Sequence, residues 1–433
     1  MNHVRRGRPA SPSVHHLSQT GTVTDEYGTG VTPRTTTVSL ADPRPTPARL
    51  TIDLGAITTN TAELCRRAGG AQVMAVVKAD GYGHGLVPSA RAALAGGATW
   101  LGTALLGEAR DLRRAGVGGR VVSWLHTPGA PFADAIRADI DLAASAPWAL
   151  DEIAAAAREA GRTARVHLKL DTGLGRNGAL GAGATELIRR AAELDSDGIV
   201  TIVGVMSHFA YADAPGHPTV RAQWETFEGH LDACERAGLD VQVRSLANSA
   251  ATLTDPNCAY DLVRPGLAVY GLSPVPQVGG PADFGLRPAM TCSADLALVK
   301  EVPAGQGLSY GHAYTTAAAT RVGVVPIGYA DGVPRAASNV GPVSVLAGPR
   351  SGASSTRGTP GTIAGRVCMD QFVLDLGPRT DAREGDEVVL FGDPATGVPS
   401  AQDWADATDT ISYEIITRMS TRLPRVFHGE GDA

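Results

Sequence analysis

Eight short apolar runs recur between residues 73 and 265, at 73–78, 99–104, 120–125, 139–144, 165–171, 199–207, 241–246 and 261–265. Alanine-rich stretches with helical character separate several of them, at 85–95, 149–160, 184–194 and 217–238. A strand buried on both faces reads as a continuous apolar run, because neither face needs polar residues. Strands of this kind alternating with helices predict a parallel sheet, and eight of them predict closure into a β/α barrel of the TIM type. After Pro281 the texture changes. Short β-branched runs at 294–302, 321–326, 342–346, 372–376 and 387–391 are separated by Gly, Pro and Asp, which predicts a mainly β domain.

The expected layout is therefore a disordered N-terminal tail (1–47), a barrel (48–281) and a mainly β domain (282–433). The tail carries Arg5, Arg6 and Arg8 and then a Thr-, Ser-, Gly- and Pro-rich tract. It has too little apolar surface to offset chain entropy and no apolar core of a secretory signal. Residues 347–361 have the composition of a mobile surface loop. A net charge of −6 leaves no electrostatic footprint for nucleic acid or an anionic membrane surface. No apolar stretch is long enough for a transmembrane helix. The five cysteines are scattered without metal-ligand spacing, so no metal is expected; they read as buried thiols in a reducing compartment, and a cytoplasmic location is expected.

Chemistry concentrates where a barrel of this kind puts its site. Lys78, Arg176, His208, Asn248-Ser249 and Arg264–Gly266 all lie at or just past the C-terminal ends of predicted strands. Lys78 ends an apolar run and is followed by a glycine-punctuated loop that presents Tyr82 and His84. An amine held in a desolvated pocket can form a Schiff base with a carbonyl. Taken singly, each residue also has an ordinary structural reading: a lysine snorkelling to solvent, an arginine in an ion pair, a histidine or tyrosine packed in a core.

The whole segment Ala-Val-Val-Lys-Ala-Asp-Gly-Tyr-Gly-His-Gly (75–85) closely resembles the pyridoxal-phosphate attachment segment of alanine racemases. The resemblance continues through His-Leu-Lys-Leu-Asp-Thr-Gly-Leu-Gly-Arg (167–176), Ser-His-Phe-Ala (207–210), Ala-Asn-Ser-Ala (247–250) and Val-Arg-Pro-Gly-Leu-Ala-Val-Tyr-Gly-Leu (263–272). In the second domain it takes in Ser-Tyr-Gly (309–311), Ile-Gly-Tyr-Ala-Asp-Gly (327–332), Gly-Arg-Val-Cys-Met-Asp (365–370) and Ile-Ser-Tyr-Glu (411–414). Separate motifs in the family's order over residues 49–427 are far more specific than any one of them.

The resemblance implies that Lys78 holds pyridoxal 5'-phosphate and serves as one catalytic base. Tyr310 would be the other base, on the opposite face, contributed by the partner subunit of a homodimer with shared sites. Cofactor contacts are implied for Tyr82, His208, Asn248, Ser249, Arg264, Gly266, Leu267 and Tyr413. Among them Ser249, Gly266 and Leu267, with the phenols of Tyr82 and Tyr413, would hold the phosphate, and Arg264 would face the pyridine nitrogen with His208 beside the ring. His208 and Arg264 would also supply cations or donors to Tyr310. Arg176 would contact the substrate carboxylate, with Met369 and Asp370 nearby from the partner. Tyr329 and Tyr413 would narrow the entrance, with Asp213, Arg335 and Arg366 further out. Lys169 stands where some members carry a carbamylated lysine. The implied reaction interconverts L- and D-alanine for peptidoglycan precursors. Rival readings are a broader amino-acid racemase, a decarboxylase of basic amino acids on the same barrel, and a cofactor-binding regulatory protein. The tail, the long 347–361 stretch and Tyr211 depart from the family's usual pattern.

Overall fold

A computed structural model describes residues 46–346 and 358–429. The expected tail, as far as residue 45, lies outside the described residues, and so do positions 347–357 of the expected loop. The first strand is β1 (Ala48–Asp53). The eight apolar runs are then all strands: β2 (Gln72–Val76), β3 (Trp100–Thr103), β4 (Arg120–Ser123), β5 (Asp141–Ala144), β6 (Ala164–Lys169), β7 (Val200–Met206), β8 (Val243–Ser245) and β9 (Leu262–Val263). They pair in parallel in the order β8-β7-β6-β5-β4-β3-β2-β9, with helices between them. β9 has only two residues, and the ring closes through individual hydrogen bonds. Asp261 N–H donates to Arg244 O at 3.2 Å, Arg264 N–H to Ala247 O at 2.9 Å, and Ser245 Oγ to Leu262 O at 2.6 Å.

Strand side chains alternate between two buried environments. Met74, Trp100, Val122, Ala143, Val203, Val243 and Leu262 fill the barrel, while neighbours such as Val73, Leu101, Val121 and Leu142 pack outward into the larger core. Burial on both faces is why the runs read as continuous. At the N-terminal end of the barrel, Asp141 is fully buried. Its carboxylate accepts from Arg165 Nε and Arg120 Nη2, each at 2.5 Å, with His167 Nε2 at 3.4 Å. The Arg120 guanidinium lies 3.9 Å from the centre of the Trp100 ring. A buried ionic lock therefore caps the end of the barrel away from the predicted site.

The second part is built from β10 (Met290–Asp295), β11 (Leu298–Val302), β12 (Gly307–Leu308), β13 (Tyr314–Thr315), β14 (Thr320–Val325), β15 (Pro342–Leu346), β16 (Thr359–Thr362), β17 (Phe372–Gly377), β18 (Glu387–Phe391) and β19 (Arg425–His428). They form a six-stranded sheet β16-β15-β18-β10-β1-β19, a three-stranded sheet β11-β14-β17 and a hairpin β12-β13. Three details differ from the sequence expectation. The run 294–302 spans parts of two strands, because Leu296 and Ala297 redirect the chain: their N–H groups donate to Asp386 O and Val324 O, in different surroundings. Positions 359–361, expected in a mobile loop, belong to β16, which pairs antiparallel with β15. β1 falls within the span expected as barrel, yet pairs antiparallel with β10 and parallel with β19. The barrel thus enters the molecule from the sheet of the second part. All five cysteines are free thiols; Cys234, Cys258 and Cys292 are buried, whereas Cys65 and Cys368 are only half-buried.

Asp141 allows a stability prediction. Burial alone would raise its proton affinity, but the His167 hydrogen bond and the charges of His167, Arg120 and Arg165 outweigh it and hold the carboxyl below its ordinary value. A depressed folded pKa means that this stabilisation is present above the unfolded value of about 3.9 and is lost as pH falls through the lower folded one. Asp141→Asn removes one partner of a buried network and is expected to cost about 3–5 kcal/mol at neutral pH. Denaturant melts of both proteins from neutral to acidic pH check it, and the gap must narrow below pH ~4.

Candidate active site

The chain beyond β2 takes an uncommon path. Ala79, Asp80, Gly81 and Tyr82 have φ of 53°, 53°, 60° and 52°, so one left-handed turn follows Lys78. Gly81 N–H donates to Val77 O at 2.8 Å and Gly83 N–H to Ala79 O at 3.0 Å. Left-handed backbone costs non-glycine residues about 1–2 kcal/mol each. The Asp80 side chain offsets part of this by accepting Leu86 N–H at 2.8 Å. The turn sends Tyr82 inward, where it is buried and stacks on Tyr270 at 4.9 Å. His84, the other residue of the glycine-rich segment, is a packing residue. It stacks on Tyr270 at 4.5 Å, sits beside two backbone carbonyls, and burial pulls its pKa down to about 4.

Lys78 itself is largely enclosed, its Nζ 5.9 Å from the centre of the Trp124 ring. Gly102 makes room for that indole: a Cβ there would come within 2.8 Å of it. Burial and the charge of Arg176 hold the Lys78 amine below its ordinary pKa, with Glu108 opposing. Lys169, the last residue of β6, is buried, and burial with the charges of Arg264 and Arg176 brings its amine down to about 7. Arg264 is buried; its Nη1 donates to Ser245 Oγ and its Nη2 to Ser207 O, both at 2.5 Å, and burial draws it down to about 10. His208 follows β7. Burial first, then Arg264, Lys169, Arg176 and Lys78, hold it well below its ordinary pKa, so it is neutral at pH 7. It can therefore offer a donor to a neighbouring phenol but not a positive charge, which leaves that task to the cations around it, Arg264 among them.

Arg176 is exposed at the rim, and its loop is organised by a residue that motif reading passed over. Asp171 Oδ1 accepts N–H groups from Gly173, Leu174 and Gly175, and Oδ2 accepts that of Arg176. The pattern Asp-x-Gly-x-Gly carries the signal, since a short carboxylate followed by glycines suits such a nest. Trp124 had no comparable signal.

Past β8 and β9, two short helical turns converge. Asn248 Oδ1 accepts Ala251 N–H at 3.1 Å, and Ser249 Oγ accepts Gly266 N–H at 2.8 Å and Ala268 N–H at 3.3 Å. Gly266 has to be glycine, because a Cβ there would stand 2.2 Å from the Tyr82 hydroxyl. Leu267, just beyond it, is buried. Tyr413, from the second part of the same chain, brings its ring to 6.4 Å from Tyr82, and burial with Asp213 pushes its phenol up to about 12. Backbone N–H groups, hydroxyls and phenols thus gather at the same end of the barrel as the cations Lys78, Lys169 and Arg264. A phosphate-bearing aldehyde fits that combination: dianion at one end, amine-reactive carbonyl at the other.

Another group of predicted residues gathers elsewhere on the second part. Tyr310 is 71 % exposed, on a turn where Ser309, Gly311 and His312 all have positive φ. Ser309 Oγ donates to Arg366 O at 2.7 Å and lies 3.5 Å from Cys368 Sγ. Tyr329 N–H donates to Cys368 O and Ala330 N–H to Met369 O, each at 3.0 Å, so Tyr310, Tyr329, Met369 and Asp370 share one surface. Asp370 also accepts from Arg422 at 2.8 Å. Met369 and Tyr329 are 53 % and 42 % exposed. Asp213, Arg335 and Arg366 are exposed as well.

Comparison with known proteins agrees with this geometry. Residues 52–274 match the family model of the alanine racemase N-terminal domain and residues 289–427 that of its C-terminal domain. The alanine racemase of Frankia casuarinae is 58 % identical over 374 residues, spanning 86 % of this chain and 94 % of that protein. The alanine racemase of Streptomyces coelicolor is 52 % identical over 389 residues, spanning 88 % and 96 %. The crystal structure of alanine racemase from the D-cycloserine producer Streptomyces lavendulae matches with a TM-score of 0.85 at 53 % identity, covering 89 % of this chain and 98 % of that one. The alanine racemase of Bacillus anthracis, solved with bound L-Ala-P, gives a TM-score of 0.79 at 33 % identity, with 90 % and 97 % covered. With both domains matched in order along nearly the whole described length, this chain belongs to the alanine racemase family.

Proposed function

We propose that this protein racemises alanine with pyridoxal 5'-phosphate as cofactor, as a homodimer whose sites combine Lys78 of one chain with Tyr310 of the other. The observation that carries this reading is the half-buried Lys78 amine, which shares the strand-end rim with Lys169, Arg176 and the Tyr82–Gly266 cradle. Ser249, Gly266, Leu267, Tyr82 and Tyr413 would hold the phosphate, with Asn248 capping the turn behind Ser249. When bound at Lys78, the cofactor supplies the electron sink that acidifies the substrate Cα–H.

The remaining work falls to the protein. Lys78 Nζ, whose proton affinity burial has lowered, takes or returns the Cα proton on one face. On the other face the same task falls to Tyr310 of the partner subunit. Within its own chain Tyr310 stands in solvent, a poor setting for a base that must meet a buried amine across one substrate. Leu105 and Leu125, just past β3 and β4 on the barrel rim, are exposed too, so the rim offers apolar surface for a partner to cover. With the cofactor bound, Arg264 would keep a positive charge near the ring nitrogen and disfavour its protonation, and neutral His208 would pack beside the ring. Arg176, seated by Asp171, takes the substrate carboxylate, with Met369 and Asp370 beside it. Tyr329 and Tyr413 narrow the approach and favour a methyl side chain. The family resemblance supports D-alanine supply for peptidoglycan as the role. Free cysteines and the absence, among the described residues, of a helix able to cross a membrane fit work in the cytoplasm.

Lys169 would act as a carbamate. Its neutral amine, available at an affinity of about 7, adds to carbon dioxide, forming an N–C bond and releasing a proton. A cation is thereby replaced by an anion facing Arg176. ¹³C-bicarbonate should give a labelled carbamate resonance that disappears in Lys169→Ala; an unlabelled wild type at neutral pH overturns this assignment.

Isotope exchange tests the reaction. In D₂O the wild type should exchange Cα–H of both alanine enantiomers. Tyr310→Phe should lose proton removal from the L face by about 10²–10⁴-fold, and Lys78→Ala should lose the reaction altogether. Comparable rates on serine would make it a broad racemase, and full racemisation by Lys78→Ala would overturn the assignment. Gly266→Ala tests the cradle: displacement of Tyr82 should weaken cofactor retention by about tenfold or more, read from cofactor absorbance after dialysis.

A further inference from the structure

Glu108 lies just past β3, in the first turn of the helix Leu106–Arg114, and its carboxylate accepts three backbone N–H groups. Oε2 takes those of Ala104 and Leu105, each at 3.0 Å. That half of the contact is a capping arrangement, in which the third helical residue reaches back to the helix entrance. Oε1 goes further than a cap requires. It accepts the N–H of Ala79, 29 residues earlier in the chain, at 2.6 Å.

Ala79 is the residue after Lys78 and the first of the left-handed turn. The turn's own hydrogen bonds begin with the Gly81 donor, so the Ala79 donor relies on Glu108. Alanine has no side chain that can hydrogen-bond locally to offset left-handed backbone, unlike Asp80. The contact that holds the first strained residue after the lysine is thus supplied by the neighbouring strand's loop. Glu108 also places negative charge beside the Lys78 amine, where it opposes the effects of burial and Arg176.

We propose that Glu108 is a positioning residue for Lys78: one carboxylate ties the end of β2 to the end of β3 and fixes the direction in which the lysine leaves the barrel rim. The inference rests on the reading of Lys78 as the catalytic lysine, and it assigns Glu108 no contact with substrate or cofactor. Glu108→Asp separates bracing from capping. Aspartate keeps the charge and is well suited to the first helical turn, but it is one methylene shorter and cannot serve both ends.

The experiment compares full-length wild type and Glu108→Asp, both loaded with pyridoxal phosphate, by amide hydrogen exchange and by steady-state kinetics. In the variant, exchange over residues 77–85 should accelerate by about fivefold or more while that over 104–114 stays at the wild-type rate. The kcat should fall about tenfold with KM for alanine within about twofold, the signature of a misplaced catalytic group rather than of lost binding. Unchanged exchange over 77–85 overturns the proposal, as does acceleration confined to 104–114, which makes Glu108 a helix cap only. Faster exchange with unchanged kcat overturns it too, because the brace then serves the turn and not the lysine. Glu108→Ala should lose both contacts at once, and if it does not accumulate as folded protein the aspartate variant still decides. Failure of the Lys78 reading shows separately, as racemisation by Lys78→Ala.

Discussion

Lys78, Lys169, Arg176 and Arg264 crowd positive charge into one end of a barrel whose interior is apolar, and much of the site answers to that charge. Burial first, and then the neighbouring cations, depress the proton affinity of Lys78, Lys169 and His208, which brings Lys169 near neutrality and leaves His208 uncharged at pH 7. Two acids act on the group, and both are committed to backbone: Asp171 accepts four N–H groups and serves the Arg176 loop, and Glu108, beside Lys78, accepts three. Negative charge has to arrive with something bound or added. On the proposed reading, a phosphate, a substrate carboxylate and a carbamate on Lys169 are three ways of supplying it. A preference for anionic groups at this end of the barrel thus follows from electrostatics before any shape is considered.

The two ends of the barrel are built to opposite rules. At the N-terminal end Asp141 is met by Arg120, Arg165 and His167, and the charges are matched. At the C-terminal end cations outnumber the acids beside them and the backbone is strained, with five consecutive left-handed residues from Ala79 to Gly83. Strain and excess charge are tolerable there because the strands carrying them are locked below and because neighbouring loops are tied together above. The proposed site sits at the costly end, and the matched ionic cluster at the other.

The barrel was legible in the sequence because parallel strands buried on both faces leave runs that no amphipathic helix imitates. The positions of Lys78, His208, Ser249 and Arg264 followed from those runs, since each stands at a strand's C-terminal end. Other features left no local trace. β1 looks like any short strand, and its partners β10 and β19 lie hundreds of residues away. The boundary between β10 and β11 is set by which sheet claims each backbone group, and the sequence 294–302 reads as one run either way. Glu108 sits in an unremarkable helical start, and only the three-dimensional closeness of β2 and β3 gives it a second partner. The motif resemblance named Tyr310, Tyr329, Met369 and Asp370; periodicity could not, because they lie on turns whose shared surface depends on contacts such as Ser309 with Arg366.

On the proposed reading, the active site divides along a chemical line. The phosphate wall is complete within one chain, since Tyr413 of the second part already lies beside Tyr82. The proton on one face also belongs to that chain, through Lys78. Only the second proton comes from outside, carried on a turn whose positive-φ residues and Ser309 anchor set the backbone that bears the phenol. Cofactor capture can then precede assembly, while inversion of configuration cannot. A lone chain could exchange a proton on the lysine's face and return it there, with retention. Racemisation requires the second face, so the dimer contact controls the outcome of the chemistry rather than the binding that precedes it.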